Sequence, residues 1–258
     1  MDLFIYRNSF FSLSALCLAL FFSNGARAFS IPTNLKNSQL TTLSNALGHG
    51  TSNKFLSNPY PLGGFSGVEL GVGAEFINTS DFSSLGSGSA TQSSVEVDRL
   101  SIGKGLYGGL DIFLNFIPFS GANEVSSYGA SIKWTFFEGQ FLPLTLSTLV
   151  HYDSINFGDQ FMSEDYGADL IAGINVNHVS LYMGGGTISG RHVFSKSILD
   201  LTDVANNSDL SDNRSLVNVD HQTHGLIGVQ TEISNFFLAA EIDRYANPVY
   251  SAKLGLRY

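Results

Sequence analysis

The segment RLSIGKGLYGGLDIFLNFIPF, residues 99–119, decides the fold class of this chain. Apolar residues take nearly every second position on both sides of a turn at 107–109, and small or polar residues take most positions between them. A period of two places successive side chains on opposite faces of an extended strand. The segment therefore predicts a β-hairpin with one apolar face and one face of small and polar residues.

The same alternation continues from Phe65 to the last residue, Tyr258, and predicts ten strands in all. The predicted strands are 65–76, 99–106, 110–119, 126–137, 143–155, 165–177, 179–190, 217–233, 236–245 and 249–258. Longer connections at 77–93, 120–125, 156–164 and 191–216 alternate with short ones at 107–109, 138–142, 177–178 and 234–235. Short turns at one end and longer loops at the other are typical of membrane-spanning barrels. An even number of strands lets the first and last strands pair, which leaves no open edge.

The composition favours a barrel in lipid over a soluble domain. Only 14% of the residues are charged, whereas about 25% is usual for a soluble domain. After the N-terminal region, no stretch is apolar for 18 consecutive residues, which argues against a helical membrane protein. The net charge of −9 argues against nucleic-acid binding. The prediction is an all-β fold, a closed antiparallel transmembrane β-barrel of about ten strands with lipid outside.

The first 28 residues have the pattern of a cleaved export signal. Arg7 precedes an apolar run at 10–22, and residues 26–28 (ARA) fit an A-x-A cleavage site. The run is too short for a membrane-spanning helix, which needs roughly 20 apolar residues. Cys17 is the only cysteine. The mature chain is therefore expected to have no disulfide, no thiolate metal ligand and no cysteine nucleophile.

Residues 29–64 precede the first predicted strand and contain a short predicted helix. Leu35, Leu40, Leu43 and Leu47 fall roughly on one side of this helix, and Gly48 ends it. One interpretation is a periplasmic tail whose helix rests at the barrel mouth. The other is a plug, in which the helix or residues 58–61 (NPYP) enter the lumen. In either case we expect both termini at the end of the barrel that carries the short turns.

The C-terminal stretch YSAKLGLRY, residues 250–258, resembles the last strand of bacterial outer-membrane β-barrel proteins. The stretches NPYPLGGFSGVELGVG (58–73) and GKGLYGGLDIFL (103–114) resemble small barrels distantly akin to porin-type and fatty-acid-transporter-type families. The resemblance implies a Gram-negative outer-membrane location, contact with its lipid, and recognition of Tyr258 by the barrel-assembly machinery. It implies no substrate, because no functional motif of either family aligns residue by residue.

These observations divide the chain into three parts. The expected parts are a signal peptide (1–28), a periplasmic N-terminal segment with a short helix (29–64) and an outer-membrane β-barrel (65–258). Aromatic residues at strand ends are expected to form interfacial girdles. They are Phe76, Tyr107, Phe119, Phe137, Tyr152, Tyr166, Phe236 and Tyr245.

Charged and histidine side chains on the inward face are the candidate site residues, because they would line the lumen. Both signs of charge are present, so these residues either line a narrow pore or form a packed polar interior. The sequence predicts no metal site and no cofactor. The candidates are Glu69, Glu75, Arg99, Asp111, Lys133, His151, Asp153, Asp169, Glu232, Glu241, Asp243, Lys253 and Arg257.

The histidines raise a third interpretation, a hydrolase active at the barrel rim like the omptin proteases. His151 and Asp153 share a strand face and can form a His–Asp pair. Asp220 and His221 are adjacent, so they point to opposite faces. The paired rim aspartates of an omptin site have no clear counterpart, and we therefore do not predict an enzyme.

The leading functional prediction is a narrow passive channel or transporter for a small solute. The alternative is a structural or cell-surface interaction barrel with a sealed lumen, acting through the loops at 77–93 and 191–216. The omptin-like hydrolase is the second alternative. Conductance in planar bilayers distinguishes the channel from the sealed barrel.

Overall fold

The computed structural model describes residues 30–87, 93–117, 125–139, 141–206 and 215–258. Within these ranges ten antiparallel strands form one closed barrel, in the order β1-β10-β9-β8-β7-β6-β5-β4-β3-β2. The predicted fold class and strand number are thereby confirmed, while the export signal lies outside the described residues. The strands are β1 (Val68–Asn78), β2 (Ser94–Gly105), β3 (Leu110–Phe116), β4 (Val125–Glu138), β5 (Leu144–Phe157), β6 (Phe161–Val176), β7 (Val179–Ser195), β8 (Ser215–Ile233), β9 (Phe236–Arg244) and β10 (Pro248–Arg257).

The barrel closes between β1 and β10, the first and last strands of the chain. Their register pairs Glu69 with Arg257 and Ile77 with Val249. The backbone N–H groups of Val68 and Tyr258 each donate to the other residue's carbonyl, both at 2.9 Å. The terminal aromatic residue therefore completes the closing ladder, and neither strand keeps a free edge.

The two faces of the wall differ as the alternation predicts. Leu110, Leu170 and Leu238 on the outer face are 36%, 58% and 51% exposed. Asp111, which follows Leu110 in the chain, is fully buried. Large apolar side chains left uncovered on a wall of this kind form the surface that hydrocarbon contacts in a transmembrane barrel.

The strands extend further toward the long-loop end than predicted. The connection of β5 to β6 is only 158–160, not 156–164, and β7 continues to Ser195. The prediction failed here because inward positions at this end hold apolar residues such as Phe161 and Phe194, which are fully buried. The prediction expected polar residues on the inner face of each strand, so a stretch with apolar residues at inward positions was assigned to a loop.

Short helices occur in the N-terminal segment and in the long loops. They are α1 (Asn37–Leu43), a π turn (Ser44–Gly48), 3-10 turns at His49–Thr51, Gly64–Ser66, Ser80–Ser84 and Lys196–Ile198, and α2 (Leu201–Asn206). In the part of the chain that the structure describes, no helix combines the length and the apolar character needed to cross a bilayer.

The N-terminal segment runs through the inside of the barrel, and we call residues 35–62 the plug. Its upper end lies among the long loops, because Leu35 bridges to Leu199 and the Ser87 N–H donates to the Thr33 carbonyl. Its lower end lies at the short-turn end, where positive φ angles at Gly63 and Gly64 let the chain reverse into β1. Of the two interpretations of this segment, the plug is the one observed.

The predicted position of the N-terminal end was wrong. Residues 30–35 lie at the long-loop end, not beside the short turns with the C-terminus. The physical reason is the apolar side of α1: Leu40, Leu43 and Leu47 are buried within the barrel instead of resting at its mouth. The division into 1–28, 29–64 and 65–258 stays a prediction.

One predicted girdle residue also faces the other way. Tyr245 is buried, with its hydroxyl 2.9 Å from Ser52 Oγ of the plug. Its ring stacks on His224 at a centroid distance of 4.6 Å. Tyr245 therefore belongs to the interior, whereas Phe119 lies outside the described residues.

Candidate functional site

The interior of the barrel is the candidate site, and its half near the long loops is apolar. Leu35, Leu43 and Leu47 of the plug have no exposed surface and belong to one buried cluster with wall residues that include Ile188 and Phe194. Helix α1 and the π and 3-10 turns that follow it form hydrogen bonds within their own backbone, and their apolar side chains pack against the wall. The upper half of the interior is therefore filled by packed apolar side chains.

A histidine–aspartate network joins the plug to the wall just below this cluster. His49 Nδ1 lies 2.7 Å from Asp165 Oδ1, and His49 Nε2 lies 2.7 Å from Asp220 Oδ1. His192 Nε2 approaches the same Asp220 oxygen at 2.9 Å, and its Nδ1 lies 2.9 Å from Ser163 Oγ. We call these residues the His49 latch.

The charge of the latch follows from its surroundings. Burial by itself would lower the pKa of His49, but hydrogen bonds and charges from Asp165 and Asp220 outweigh burial and raise the pKa to about 9. His49 is therefore an imidazolium at neutral pH, held between two carboxylates. Sequence analysis missed this network, since His192 fell in a predicted loop and nothing local links residue 49 to strand residues more than 100 positions away.

The middle of the plug has no regular secondary structure, and wall carboxylates accept hydrogen bonds from its backbone. The N–H groups of Phe55 and Leu56 donate to the two oxygens of Glu241, both at 3.0 Å. The N–H of Asn53 donates to Asp153 Oδ2 at 2.9 Å. Asn115 Nδ2 donates to Asn53 Oδ1 at 2.8 Å. These side chains stand where a neighbouring strand would otherwise satisfy the plug backbone.

Cations of the wall and plug satisfy the carbonyls of the same stretch. Arg99 donates to the Thr51 carbonyl and forms an ion pair with Glu75 at 3.1 Å. Lys54 Nζ donates to the carbonyls of Ser52 at 2.6 Å and Gly50 at 3.2 Å. The plug thus presents both donors and acceptors to charged partners.

The lower end of the plug is held by the Lys133–Asp111 pair, whose charged atoms lie 3.0 Å apart. Lys133 Nζ also donates to the carbonyls of Asn58 at 2.8 Å and Tyr60 at 2.6 Å. Asp111 Oδ1 accepts the Leu62 N–H at 3.1 Å. Residues 58–61 therefore lie inside the lumen, as the plug interpretation proposed.

A second group at this end surrounds Glu69. Lys253 Nζ lies 2.7 Å from Glu69 Oε1, Arg257 pairs with Oε2, and Ser57 Oγ donates to Oε2 at 3.1 Å. Arg257 also lies 3.5 Å from Glu232 Oε2. Two cations and a plug hydroxyl thus share one buried carboxylate.

All the candidate lumen residues lie on the inner side of the wall, and their role in conduction stays a prediction. Only Glu232 and Arg257 among them are not fully buried. A cavity beside Asn53 and Phe113 has a volume of about 10 Å³, room for about one water molecule. His151, Asp153, Asp169 and Asp243 form a further cluster with His224, which sequence analysis did not include.

The proposed hydrolase pair is formed but is enclosed. His151 Nδ1 lies 3.3 Å from Asp153 Oδ2, and both residues are 3% exposed. Asp153 is occupied by the plug through Asn53. Asp220 and His221 point to opposite faces as expected, with His221 exposed against Ser189. This arrangement offers no open cleft at the rim and gives no support to an omptin-like function.

The fold and its apolar outer face define a class, a closed ten-stranded transmembrane β-barrel with an internal plug. No protein-family model matches the chain, and no curated protein matches it. Among solved structures, the N-terminal β-barrel domain of Pseudomonas aeruginosa OprF is similar over 76% of this chain and 99% of that chain, at 10% identity and a TM-score of 0.35.

Two further solved structures are similar to the same extent. The attachment invasion locus protein Ail of Yersinia pestis aligns over 74% of this chain and 97% of its own, at 13% identity and a TM-score of 0.31. The KdgM porin, solved in complex with disordered oligogalacturonate, aligns over 74% and 98%, at 10% identity and a TM-score of 0.34. At these identities the similarity concerns the barrel fold alone.

Proposed function

We propose that the protein is a sealed outer-membrane barrel that serves as a structural or cell-surface interaction protein and does not conduct solutes in its resting state. The observation that carries this proposal is the plug, whose residues 46–59 are buried inside the barrel. The surface available to partners is then the long-loop end, where the N-terminal residues join the loops.

The outer-membrane location rests on several independent features. The wall presents apolar residues outward, and short turns alternate with longer loops. The N-terminal sequence has the pattern of an export signal, and residues 250–258 resemble the last strand of outer-membrane barrels. We therefore propose outer-membrane lipid and the barrel-assembly machinery as partners of this chain.

The sealed state is supported by what the lumen charges bind. A solute pathway requires inward charges that face water, but Glu241, Asp111 and Lys133 each contact the plug backbone. Withdrawing the plug would break these hydrogen bonds, and each hydrogen bond to a charged group is worth about 1.5–3 kcal/mol. The plug and wall therefore stabilise each other.

Conductance measurements test the proposal directly. The mature protein, folded in detergent and reconstituted into planar bilayers, is expected to give no discrete current steps. Folding is verified by the shift in electrophoretic mobility between unheated and heated samples. Regular current steps from folded protein would contradict the sealed state.

A channel that opens by movement of the plug is the second candidate, because the plug is held by side-chain contacts and not by strand pairing with the wall. A disulfide between Asn53→Cys and Asn115→Cys would lock the plug where these side chains touch. Current steps that occur in the wild type and the reduced variant, and disappear when the variant is oxidised, would establish a movable plug. Silence in all three states supports a permanently sealed barrel.

The orientation of the plug predicts which end of the chain is outside the cell. Ser30 lies at the long-loop end and is exposed, while Ser234 is exposed in a short turn at the opposite end. We expect Ser30→Cys to react with a membrane-impermeant maleimide on intact cells and Ser234→Cys to react only after the outer membrane is permeabilised. The reverse pattern would contradict this orientation.

A further inference from the structure

Two histidines and three aspartates meet on the inner side of the wall, and we call them the His151–His224 cluster. Asp169 lies between the histidines: its Oδ2 is 3.6 Å from His151 Nε2, and its Oδ1 is 2.7 Å from His224 Nε2. Behind the histidines, Asp153 Oδ2 is 3.3 Å from His151 Nδ1, and Asp243 Oδ1 is 3.9 Å from His224 Nδ1. Four strands, β5, β6, β8 and β9, contribute to this arrangement.

Several polar atoms of the cluster have no hydrogen-bond partner, although all five side chains are more than nine-tenths buried. Buried polar atoms in folded proteins almost always have a partner. Here both ring nitrogens of His224 and Oδ1 of Asp169 make none, despite their short mutual distance. Asp153 Oδ1 and Asp243 Oδ2 are also without one. Of these atoms, His224 Nε2 and Asp169 Oδ1 lie together with His151 Nε2, between the two rings.

In the part of the chain that the structure describes, the carboxyl groups of the cluster form no ion pair with a lysine or an arginine. Among the described residues, the ion-pair partners within 4.0 Å of Asp153, Asp169 and Asp243 are the two histidines. The nearby Lys54 is engaged by the carbonyls of Gly50 and Ser52. Three buried carboxyl groups thus surround two imidazoles, and burying polar groups of this kind is costly unless hydrogen bonds or a ligand compensate them.

Glycines on the neighbouring strands make room for these side chains. A Cβ atom added at Gly167 would collide with His151 Nε2, and one added at Gly186 would collide with Asp169 Oδ1. A Cβ at Gly129 would collide with Asp153 Oδ1. The wall is therefore shaped around the cluster.

We propose that the cluster is a buried binding site for a divalent transition-metal ion, ligated by His151 Nε2, His224 Nε2 and a carboxylate oxygen of Asp169. One ligand atom from each of these residues lies within 4.8 Å of the others. Two imidazoles and one carboxylate form a donor set suited to Zn²⁺ and similar ions. Asp153 and Asp243 stand behind the histidines, where a carboxylate that accepts the other ring N–H fixes the orientation of a metal-bound imidazole.

A metal ion at this point would tie β5, β6 and β8 together and fix Asp153, which accepts the plug's Asn53 N–H. The inference goes beyond the proposed function, and it does not depend on whether the barrel conducts. In the His49 latch, His49, Asp165 and His192 also bring one ligand atom each within 4.8 Å of one another, but both ring nitrogens of His49 and of His192 lie within 2.9 Å of a carboxylate or hydroxyl oxygen. The latch therefore supplies a matched control.

The test measures Zn²⁺ bound to the folded mature protein. The protein is refolded in detergent with excess Zn²⁺, passed through a desalting column with a weak chelator, and analysed for metal by mass spectrometry. We expect about one zinc ion per barrel in the wild type and less than one-fifth of that in His224→Gln, His151→Gln or Asp169→Asn. His221→Gln, an exposed histidine on the same strand, and His49→Gln should retain the full amount.

Folding is checked for every variant by heat-modifiable electrophoretic mobility, and at least one ligand variant must fold for the comparison. A folded wild type without zinc would overturn the proposal. Full zinc content in folded His224→Gln and His151→Gln, or zinc lost from His49→Gln alone, would also overturn it. Replacement of Zn²⁺ by Co²⁺ should give visible absorption bands in the wild type that are absent in His224→Gln.

Discussion

The two halves of the plug are held in different ways. Near the long loops, helix α1 and the turns after it place Leu43 and Leu47 against apolar wall residues. Near the short turns, residues 53–62 have no regular secondary structure, and charged side chains such as Glu241 and Lys133 bind their main chain. Helical turns form hydrogen bonds within their own backbone, whereas a chain without regular secondary structure needs donors and acceptors from its surroundings.

This difference explains why charges are distributed unevenly along the lumen. Most charged residues that bind the plug backbone lie beside residues 53–62, and apolar inward residues of β6 and β7 lie beside the helical half. If the two halves are held in these ways, removing a charge should lower the free energy of unfolding most in the lower half, and removing an apolar side chain should lower it most in the upper half. Reversible urea unfolding in detergent micelles measures these free energies.

The largest effect is expected for Asp111→Ala in the lower half. This change leaves Lys133 buried without its counter-ion and the Leu62 N–H without its acceptor. Breaking a buried ion pair on one side costs about 4 kcal/mol, and we expect a loss of this order in the free energy of unfolding.

The double variant Asp111→Ala/Lys133→Met separates the charge effect from lost packing. Removing both charges should recover a large part of the stability, because no unpaired ion remains. Asp81→Ala, at an exposed loop position, is the control for the loss of a carboxylate and should be nearly neutral. Equal stability of Asp111→Ala and Asp81→Ala would show that the lower plug is not held by charge.

A somewhat smaller loss is expected for Leu47→Ala in the upper half. Leu47 has no exposed surface and belongs to the apolar cluster, and a leucine-to-alanine change in a packed core costs about 3 kcal/mol. Leu201→Ala, at a position that is mostly exposed, is the matched control. If both variants were equally stable, the upper seal would not depend on packing of the plug.

The smallest of the three effects is the pH dependence contributed by the His49 latch. The groups facing His49 are Asp165 on β6, His192 on β7 and Asp220 on β8. Because the folded pKa, about 9, lies above the usual 6.5, the protonated form is favoured by folding. The stabilisation is complete below pH 6.5 and is lost as the pH rises through 9, with a total of at most about 3 kcal/mol.

The comparison of wild type with His49→Gln isolates this contribution from other groups that titrate at alkaline pH. The difference in unfolding free energy between the two proteins should be constant below pH 6.5 and should shrink between pH 6.5 and 9. A difference that is independent of pH across this window would mean that His49 is neutral in the folded barrel.

The alternation of residues was sufficient to predict the barrel, because the face on which a side chain lies depends only on its position along the strand. Leu110 and Asp111, for example, are neighbours in sequence and lie on the outer and inner faces, and the pairing of β1 with β10 follows from an even strand count. The prediction weakened at the long-loop end, where Phe161 and Tyr245 point inward to meet the plug. These positions follow from a contact distant in sequence, which no local pattern contains.

The sequence predicted which charged residues face the interior, but it did not predict which groups they contact. The inward charges were identified from the period of two, yet their partners proved to be the plug backbone and one another. The contacts between His49 and Asp165 and between His151 and His224 join residues 116 and 73 positions apart (165 − 49 and 224 − 151). Only the closed register of the barrel brings them together.

The path of the chain through its own barrel also sets an order for biogenesis. Val68 begins the strand that pairs with β10, while residues 35–62 lie inside the barrel that this pairing closes. We therefore expect the wall to form around this segment during biogenesis, with the pairing of β1 and β10 as the step that encloses it.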